Sequence, residues 1–191
     1  MIRKLAPLAL VFALAACAET SEPGGAGELT DRSEYPQVTF GVTEGSIIRN
    51  LEFGQPDGSP FTLNDIFADT HNRVLFVTTT AGWCSACIEE QPKLKAMYEE
   101  LNGAGLAMIS TYFEDGEGNA ATGEQAAGWK DRYRLPFPVL TQNPFTLAEY
   151  YDERNTPLAM VIDVDTMEIL LITTGFDEQL IRSTITANLD L

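Results

Sequence analysis

The chain has 191 residues, of which 45% are hydrophobic and 21% are charged, which is typical of a folded domain with a real core. Its formal net charge of −16 argues against nucleic acid as a partner, because binding to phosphates requires clustered lysine and arginine. The excess of acidic residues does not identify any other partner, because an ordinary solvated protein surface can also be rich in acidic residues.

The first 17 residues carry a targeting pattern. Arg3 and Lys4 precede a nearly continuous apolar run, Leu5–Ala16, which is shorter than the ~20 residues that a membrane-spanning helix needs. We therefore expect a signal peptide over residues 1–16. The run ends in Leu-Ala-Ala-Cys at Cys17, which resembles the lipobox of bacterial lipoproteins. This resemblance implies lipidation of Cys17 and a membrane anchor that faces the periplasm or the exterior; the alternative is an ordinary signal peptide with an incidental cysteine.

Residues 17–37 separate this cysteine from the first apolar pattern. Gly, Glu, Ser, Thr and Pro dominate the segment from Ala18 to Pro36, and no apolar period runs through it, which predicts a flexible tether. A tether of about 20 residues spans roughly 25 Å, enough to lift a domain off a bilayer. We place the folded domain at residues 38–191, beginning at Val38.

Within that domain the pattern predicts alternating strands and helices. Strands are expected at Val38–Phe40, Ile47–Phe53, Val74–Thr79, Leu106–Thr111, Leu158–Ile162 and Glu168–Ile172. Helical segments are expected at Phe61–Phe67, Cys87–Leu101, Glu124–Tyr133, Leu147–Tyr151 and from Asp177 onward. A βαβ unit requires parallel strands and the late hairpin adds antiparallel ones, so the order predicts an α/β sandwich with a mixed central sheet and an N-terminal β-hairpin extension.

The number and spacing of the cysteines indicate a catalytic pair in preference to a structural disulfide. If Cys17 carries lipid, Cys84 and Cys87 remain as one Cys-x-x-Cys pair, and a loop that short is a poor means of stabilising a fold. The pair lies between a predicted buried strand and the start of a helix, where free N–H groups and the helix dipole stabilise a thiolate. We predict that Cys84 attacks a partner disulfide and that Cys87 then resolves the mixed disulfide.

The run Trp83-Cys84-Ser85-Ala86-Cys87 with Pro92 five residues later resembles the active site of thioredoxin-like proteins, and Glu90-Gln91-Pro92 resembles the membrane-tethered TlpA/ResA branch. The resemblance covers about Gly45 to Leu189. It implies a thioredoxin-like three-layer sandwich and a thiol–disulfide oxidoreductase that acts on protein thiols or disulfides. It favours a reductase, which would need a membrane electron donor, over a protein that oxidises or reshuffles thiols. We expect a tethered monomer and no cofactor beyond the Cys84–Cys87 disulfide.

The same resemblance assigns roles to residues around the pair. It implies that Pro157 is a cis-proline facing the disulfide and that the backbone of Thr156 pairs with the substrate. Trp83 would cover one side of the disulfide, although packing at a strand end would also explain it. Thioredoxin has a buried acid six residues before its first active-site cysteine, where this chain has Thr78. Glu90 is implied to exchange a proton with Cys87 instead; the alternative is an acid that merely favours the first helical turn.

Other functions have weaker signals. A zinc site would need more ligands, because one Cys-x-x-Cys supplies two and the sole histidine, His71, has no partner pattern; we expect a polar loop residue there and no metal site. A copper-delivery protein of this fold would have three residues between its cysteines and a later histidine. A peroxiredoxin-like peroxidase would carry proline and threonine at Val77 and Ala81.

Two further alternatives are a calcium site and a binding module without catalysis. The segment from Asp115 to Ala126 has Ala120 and Ala126 where a calcium-binding loop needs glycine and glutamate, which favours a solvated loop. A non-catalytic module would have no need of both cysteines and Trp83.

Overall fold

The computed structural model of the chain describes residues 32–142 and 146–191. In this part, seven strands form one mixed sheet: β1 (Glu52–Gly54), β2 (Pro60–Thr62), β3 (Val74–Ala81), β4 (Leu106–Glu114), β5 (Val139–Thr141), β6 (Leu158–Asp163) and β7 (Glu168–Thr174). The α-helices are α1 (Leu63–Phe67), α2 (Ser85–Leu101), α3 (Gly123–Tyr133) and α4 (Glu178–Asn188). The signal peptide, Cys17 and most of the expected tether lie outside the described residues.

The sheet has the order β2-β1-β5-β4-β3-β6-β7, with β3 near its centre. β4 runs parallel to both β3 and β5, whereas β6 is antiparallel to β3 and β7 is antiparallel to β6. All eight residues of β3 are buried, which explains why this strand consists of apolar residues and threonines instead of alternating with exposed polar residues. The predicted mixed α/β sheet is confirmed.

Two apolar cores lie on opposite faces of this sheet. Leu75 and Val77 of β3 pack with α1 on one face. Val74 and Phe76 of the same strand face the other way and pack with α2, α3 and α4. This alternation along one buried strand produces three layers, as the thioredoxin-like resemblance implies.

The N-terminal hairpin forms at a different place from the predicted one. β1 and β2 pair antiparallel across a turn at Gly58, whose φ of +85° favours glycine, and β1 also pairs with β5. The predicted strand at Val38–Phe40 is reduced to an isolated bridge between Phe40 and Ile47. The residues around Ile47 instead follow the outer edge of β7, where Ile169 N–H donates to the carbonyl of Ser46.

Two other elements differ from expectation. β5 was not predicted, because three residues are too few to show a period. The predicted helical patch at Leu147–Tyr151 consists of turns. At its start, Leu147 N–H donates to the side chain of Gln142 at 3.1 Å.

Packing also begins before the expected boundary at Val38. Arg32 is buried and donates to the carbonyls of Asp69 and Asn72 and to the carboxylate of Asp165. Tyr35 is buried too, and its hydroxyl donates to the carbonyl of Ile48 at 2.9 Å. The domain therefore includes residues from 32 onward, part of the segment that composition assigned to the tether.

Candidate active site

The active-site turn connects the carboxyl end of β3 to the amino end of α2. Cys84 is the N-cap of α2, and its own N–H donates to the carbonyl of Ala81 at 3.1 Å. Gly82 lies against a neighbouring loop, where an added Cβ would come within 2.6 Å of the backbone nitrogen of Gly116. A side chain at this position would therefore displace the turn that carries the cysteine.

Cys84 and Cys87 form a disulfide, with their Cα atoms 5.3 Å apart. Cys84 retains 4% exposure whereas Cys87 has none, so Cys84 is the more exposed residue of the pair. The backbone N–H of Cys87 donates to Cys84 Sγ at 3.1 Å. When the disulfide is reduced, the same helix N-terminus can stabilise a thiolate on Cys84, as the sequence pattern predicts.

Trp83 flanks this disulfide with its side chain 45% exposed. Its indole N–H donates to Glu114 Oε2 at 2.7 Å, and its ring meets Phe113 edge-on at 6.1 Å between centroids. Phe113 also belongs to the small cluster that contains both cysteines. Sequence analysis missed Glu114; the available signal was that β4 is parallel to β3, so its carboxyl end reaches the same edge of the sheet.

Glu90 is buried, with 2% exposure, on the face of α2 that packs against the sheet. One carboxyl oxygen accepts a hydrogen bond from Thr78 Oγ1 at 3.3 Å, and the other has no hydrogen-bond partner among the described residues. Burial raises the pKa of Glu90 to about 8, although Thr78 and Lys93 each act to lower it. The position where thioredoxin has its buried acid thus holds a threonine that contacts a buried acid on the helix.

The Thr156–Pro157 peptide bond is cis, as the resemblance implies. It immediately precedes β6, the neighbour of β3, and so lies at the same edge of the sheet as the disulfide. Thr156 Oγ1 lies 2.8 Å from Thr79 Oγ1, and the same Thr79 oxygen accepts the backbone N–H of Leu158 at 2.8 Å.

Tyr151 lies next to this pair of threonines and was not singled out in the sequence. Its interactions with Thr79 and Thr156 lower the pKa of the phenol, but burial outweighs them and raises the pKa to about 12. The phenol therefore stays neutral at physiological pH.

A cleft of about 180 Å³ opens beside the first turns of α2, lined by Ala86, Glu89, Glu90, Lys93 and Phe176. The ammonium of Lys93 lies 3.7 Å from Glu178 and 5.7 Å from the centre of the Phe176 ring. Glu90 thus borders a solvent-facing cleft despite its burial. Neither Lys93 nor Phe176 was predicted, because their proximity depends on α4 and the end of β7.

The residues weighed for metal binding have other surroundings. His71 is exposed in the loop before β3, as expected, with Nε2 3.0 Å from the carbonyl of Asn102. The Asp115 carboxylate accepts the backbone N–H groups of Glu117 and Asn119, and these contacts, led by that of Asn119, lower its pKa. In the described residues, no cluster of three or more His, Cys, Asp or Glu side chains could hold a metal ion.

Comparison with known proteins places this site in a family context. The model of the AhpC/TSA family matches residues 45–174, which include the cysteine pair, Glu90 and Pro157. No curated protein sequence gives a significant match.

Solved structures share the fold at low sequence identity. A protein from Chlorobium tepidum described as the thiol:disulfide interchange protein DsbE is 20% identical, with a TM-score of 0.63, covering 78% of this chain and 99% of its own. A thiol:disulfide interchange protein from Bacteroides is 14% identical, with a TM-score of 0.61, covering 78% and 92% respectively. An exposed lipoprotein thioredoxin from Streptococcus pneumoniae is 21% identical, with a TM-score of 0.55, covering 74% and 98%. At these identities the likeness establishes the fold alone.

No helix in the described part of the chain is both long and apolar enough to cross a membrane.

Proposed function

This chain belongs to the AhpC/TSA family, and from that premise we propose that it is a thiol–disulfide oxidoreductase exchanging disulfides with protein thiols through Cys84 and Cys87. One observation carries the proposal: Cys84, the more exposed cysteine of the disulfide, accepts a hydrogen bond from the first turn of a helix, and its partner Cys87 is fully buried. That asymmetry suits one cysteine to attack a substrate and the other to act only after the attack.

In the reducing direction, the reaction begins with both cysteines as thiols. The Cys84 thiolate attacks a substrate disulfide, forming a mixed disulfide and expelling one substrate sulfur as a thiolate. Cys87, deprotonated, then attacks Cys84 Sγ, which breaks the mixed disulfide and releases the second substrate sulfur as a thiolate. Two electrons pass to the substrate, and the Cys84–Cys87 disulfide must afterwards be reduced by a donor dithiol.

Glu90 is suited to the proton transfer in the second step. Its pKa of about 8 lies near the working pH, so this carboxyl group can both accept and release a proton during turnover. Glu90 follows Cys87 by one helical turn, which places both side chains on the same face of α2. We propose that the ionised fraction of Glu90, which is small at neutral pH and grows towards pH 8, accepts the proton of Cys87 as that thiol attacks. Glu90 returns the proton when the disulfide is reduced.

The substrate strand is proposed to lie between Trp83 and Thr156. Trp83 is exposed beside the disulfide and is fixed by Glu114, which gives a rigid apolar surface on one side. Thr156 lies at the same edge of the sheet, and its backbone would pair with an extended substrate segment.

The direction and the location follow from the resemblance to the tethered branch. We propose a monomeric, lipid-anchored reductase, held in the cell envelope by Cys17 and re-reduced by a membrane electron donor. Among the structural neighbours, one is itself described as an exposed lipoprotein thioredoxin, which supports this placement.

Peroxidase activity is the second candidate, because the matching family model is that of AhpC/TSA. The positions that would carry the proline and threonine of a peroxide pocket are Val77 and Ala81, both buried and without a hydroxyl group. Disulfide exchange therefore agrees better with the site.

The proposal is tested with the reduced chain, a disulfide-bonded peptide and hydrogen peroxide. We expect the wild type to reduce the peptide, Cys84→Ser to form no adduct, and Cys87→Ser to accumulate a mixed disulfide that mass spectrometry detects. Faster oxidation by peroxide than by the peptide would favour the peroxidase. A reduction potential near −270 mV would support the reductase direction, and one between about −180 and −120 mV an oxidant or isomerase.

A further inference from the structure

β3 ends in three consecutive buried threonines that have different surroundings. Thr78 contacts Glu90 on the face covered by α2. Thr79 points to the opposite face and contacts the loop before β6. Thr80 is fully buried, and its hydroxyl has no hydrogen-bond partner among the described residues. The preference of β-branched residues for strands explains a threonine at each position, but only the contacts distinguish the three.

The hydroxyl of Thr79 holds both residues that flank Pro157. It lies 2.8 Å from the hydroxyl of Thr156, and it accepts the backbone N–H of Leu158 at 2.8 Å. Thr79 and Leu158 are fully buried, so water cannot replace the hydrogen bond between them. The carbonyl of Pro157 is fixed separately by the N–H of Gly175 at 2.7 Å.

Tyr151 approaches the same residues from the turn after β5, and its interactions with Thr79 and Thr156 act on the pKa of its phenol. Side chains from β3, from this turn and from the loop before β6 therefore meet beside Pro157. The two hydrogen bonds of Thr79 hold the residues on both sides of that proline.

We infer that Thr79 is a positioning residue for substrate recognition: its hydroxyl orients Thr156 so that the backbone of Thr156 can pair with an extended protein segment whose disulfide meets Cys84. This inference rests on the proposed function, in which Thr156 forms one side of the substrate site. Thr79 itself is buried and acts through Thr156 and Leu158 without touching the substrate.

The test compares substrates that do and do not use the backbone of Thr156. A disulfide-bonded peptide needs an extended pairing segment, whereas bis(2-hydroxyethyl) disulfide offers little beyond its two sulfurs. We expect Thr79→Val, which keeps the shape and removes the hydroxyl, to raise the KM for the peptide about tenfold, the effect of losing roughly one hydrogen bond. The rate constant with bis(2-hydroxyethyl) disulfide should stay within about twofold of the wild type. Thr79→Ser, which restores the hydroxyl, should return the peptide KM to within about threefold.

Thr80→Val is the matched control, because it makes the same change in the next residue of the same strand, where no partner is lost. An equal rise in peptide KM for Thr79→Val and Thr80→Val would overturn the inference. A loss of rate with both substrates, or no rescue by Thr79→Ser, would also overturn it, since either shows a general structural role.

Amide hydrogen exchange separates this inference from the proposed function. We expect protection of the Leu158 amide to fall in Thr79→Val and to return in Thr79→Ser. If the wild type reduces neither substrate, the proposed function fails, and the exchange result still decides whether Thr79 holds the loop. Unchanged protection of Leu158 in Thr79→Val would show that it does not.

Discussion

At the residue scale, Glu90 gives the site its clearest pH dependence. Its pKa rises from 4.5 to about 8 in the folded chain, mainly because burial removes water from the carboxyl group and so disfavours its ionised form. The folded state therefore keeps a proton that the unfolded state releases above about pH 4.5, so stability falls as the pH rises from about 4.5 to about 8. In Glu90→Gln this loss, several kcal/mol in size, should disappear.

Urea unfolding of the oxidised protein at pH 5 and pH 9 measures this effect. Glu89→Gln is the matched control, because Glu89 is the exposed neighbour on the same turn. The wild type and Glu89→Gln should lose stability between the two pH values, and Glu90→Gln should lose much less. Parallel losses in all three proteins would show that Glu90 is ionised in the folded state at neutral pH.

Lys93 is the cation that opposes the effect of burial on Glu90. It lines the same cleft, and its charge lowers the pKa of Glu90. Lys93→Met should therefore raise that pKa further, which a ¹³C NMR titration of the Glu90 carboxyl would detect as a midpoint at higher pH. Lys95→Met removes the same charge from the same helix, where Lys95 lies near Glu99 instead, and should leave the midpoint in place. Equal midpoints in the two variants would contradict a specific role for Lys93.

The sequence predicts individual residues best where their chemistry is local. The spacing of Cys84 and Cys87, and their place at a helix start, follow from residues near them in the chain. Whether Glu90 is buried does not, because an acid in the first turns of a helix is usually solvated. Thr79 and Glu114 went unnoticed for a similar reason: their partners are 77 and 31 residues away, and only the sheet brings them together.

At the scale of elements, α3 contains two glycines at which substitution by alanine should have opposite effects on the stability of the protein. Gly123 begins the helix, and an added Cβ would lie 2.4 Å from the carbonyl oxygen of Pro56, a backbone atom that cannot move freely. Gly128 is exposed in the middle of the helix, with nothing within 4 Å of an added Cβ. Gly123→Ala should destabilise the protein by about 1–3 kcal/mol, whereas Gly128→Ala should stabilise it by about 0.5–1 kcal/mol.

Chemical denaturation of the wild type and the two alanine variants measures both changes in the free energy of unfolding. The substitution is the same at both positions, so only the surroundings of each glycine differ. Stabilisation by Gly123→Ala would mean that the hairpin turn containing Pro56 does not pack against the start of α3. Destabilisation by Gly128→Ala would contradict its exposed position.

Element prediction succeeds here where a period or a continuous apolar run is long. β3, β4 and α2 were expected close to their observed bounds because each is at least eight residues long. β1, β2 and β5 have three residues each, too few to show alternation, and their positions depend on which edge of the sheet is available.

At the scale of the whole molecule, the start of the domain shows the limit of composition as a guide. The residues around Arg32 and Tyr35 are polar and resemble a tether in sequence. In the structure, Arg32 binds backbone carbonyls between α1 and β3, and Tyr35 packs edge-on against Phe67 at 5.5 Å between ring centres. A polar segment can belong to a domain when its side chains bind groups that the rest of the chain leaves unpaired, and composition does not reveal such partners.

The redox state should change the stability of the molecule without unfolding it. The disulfide joins residues three apart, so its chain-entropy contribution is only roughly 2 kcal/mol, and the two apolar cores do not depend on it. We expect the protein reduced with dithiothreitol to remain folded, and the variant with serine at both 84 and 87 to fold as well. Loss of cooperative unfolding on reduction would contradict this view of the fold.

Whether the oxidised or the reduced protein is more stable indicates the direction in which the protein transfers electrons. Reduction potential and stability are linked by a thermodynamic cycle, in which about 30 mV corresponds to about 1.4 kcal/mol for a two-electron couple. A strong oxidant has its reduced form stabilised by the fold, whereas a reductant has the opposite preference. The proposed reductase should therefore unfold at higher urea concentration when oxidised than when reduced. The reverse order would assign the chain to oxidation or isomerisation while leaving the roles of Cys84 and Cys87 intact.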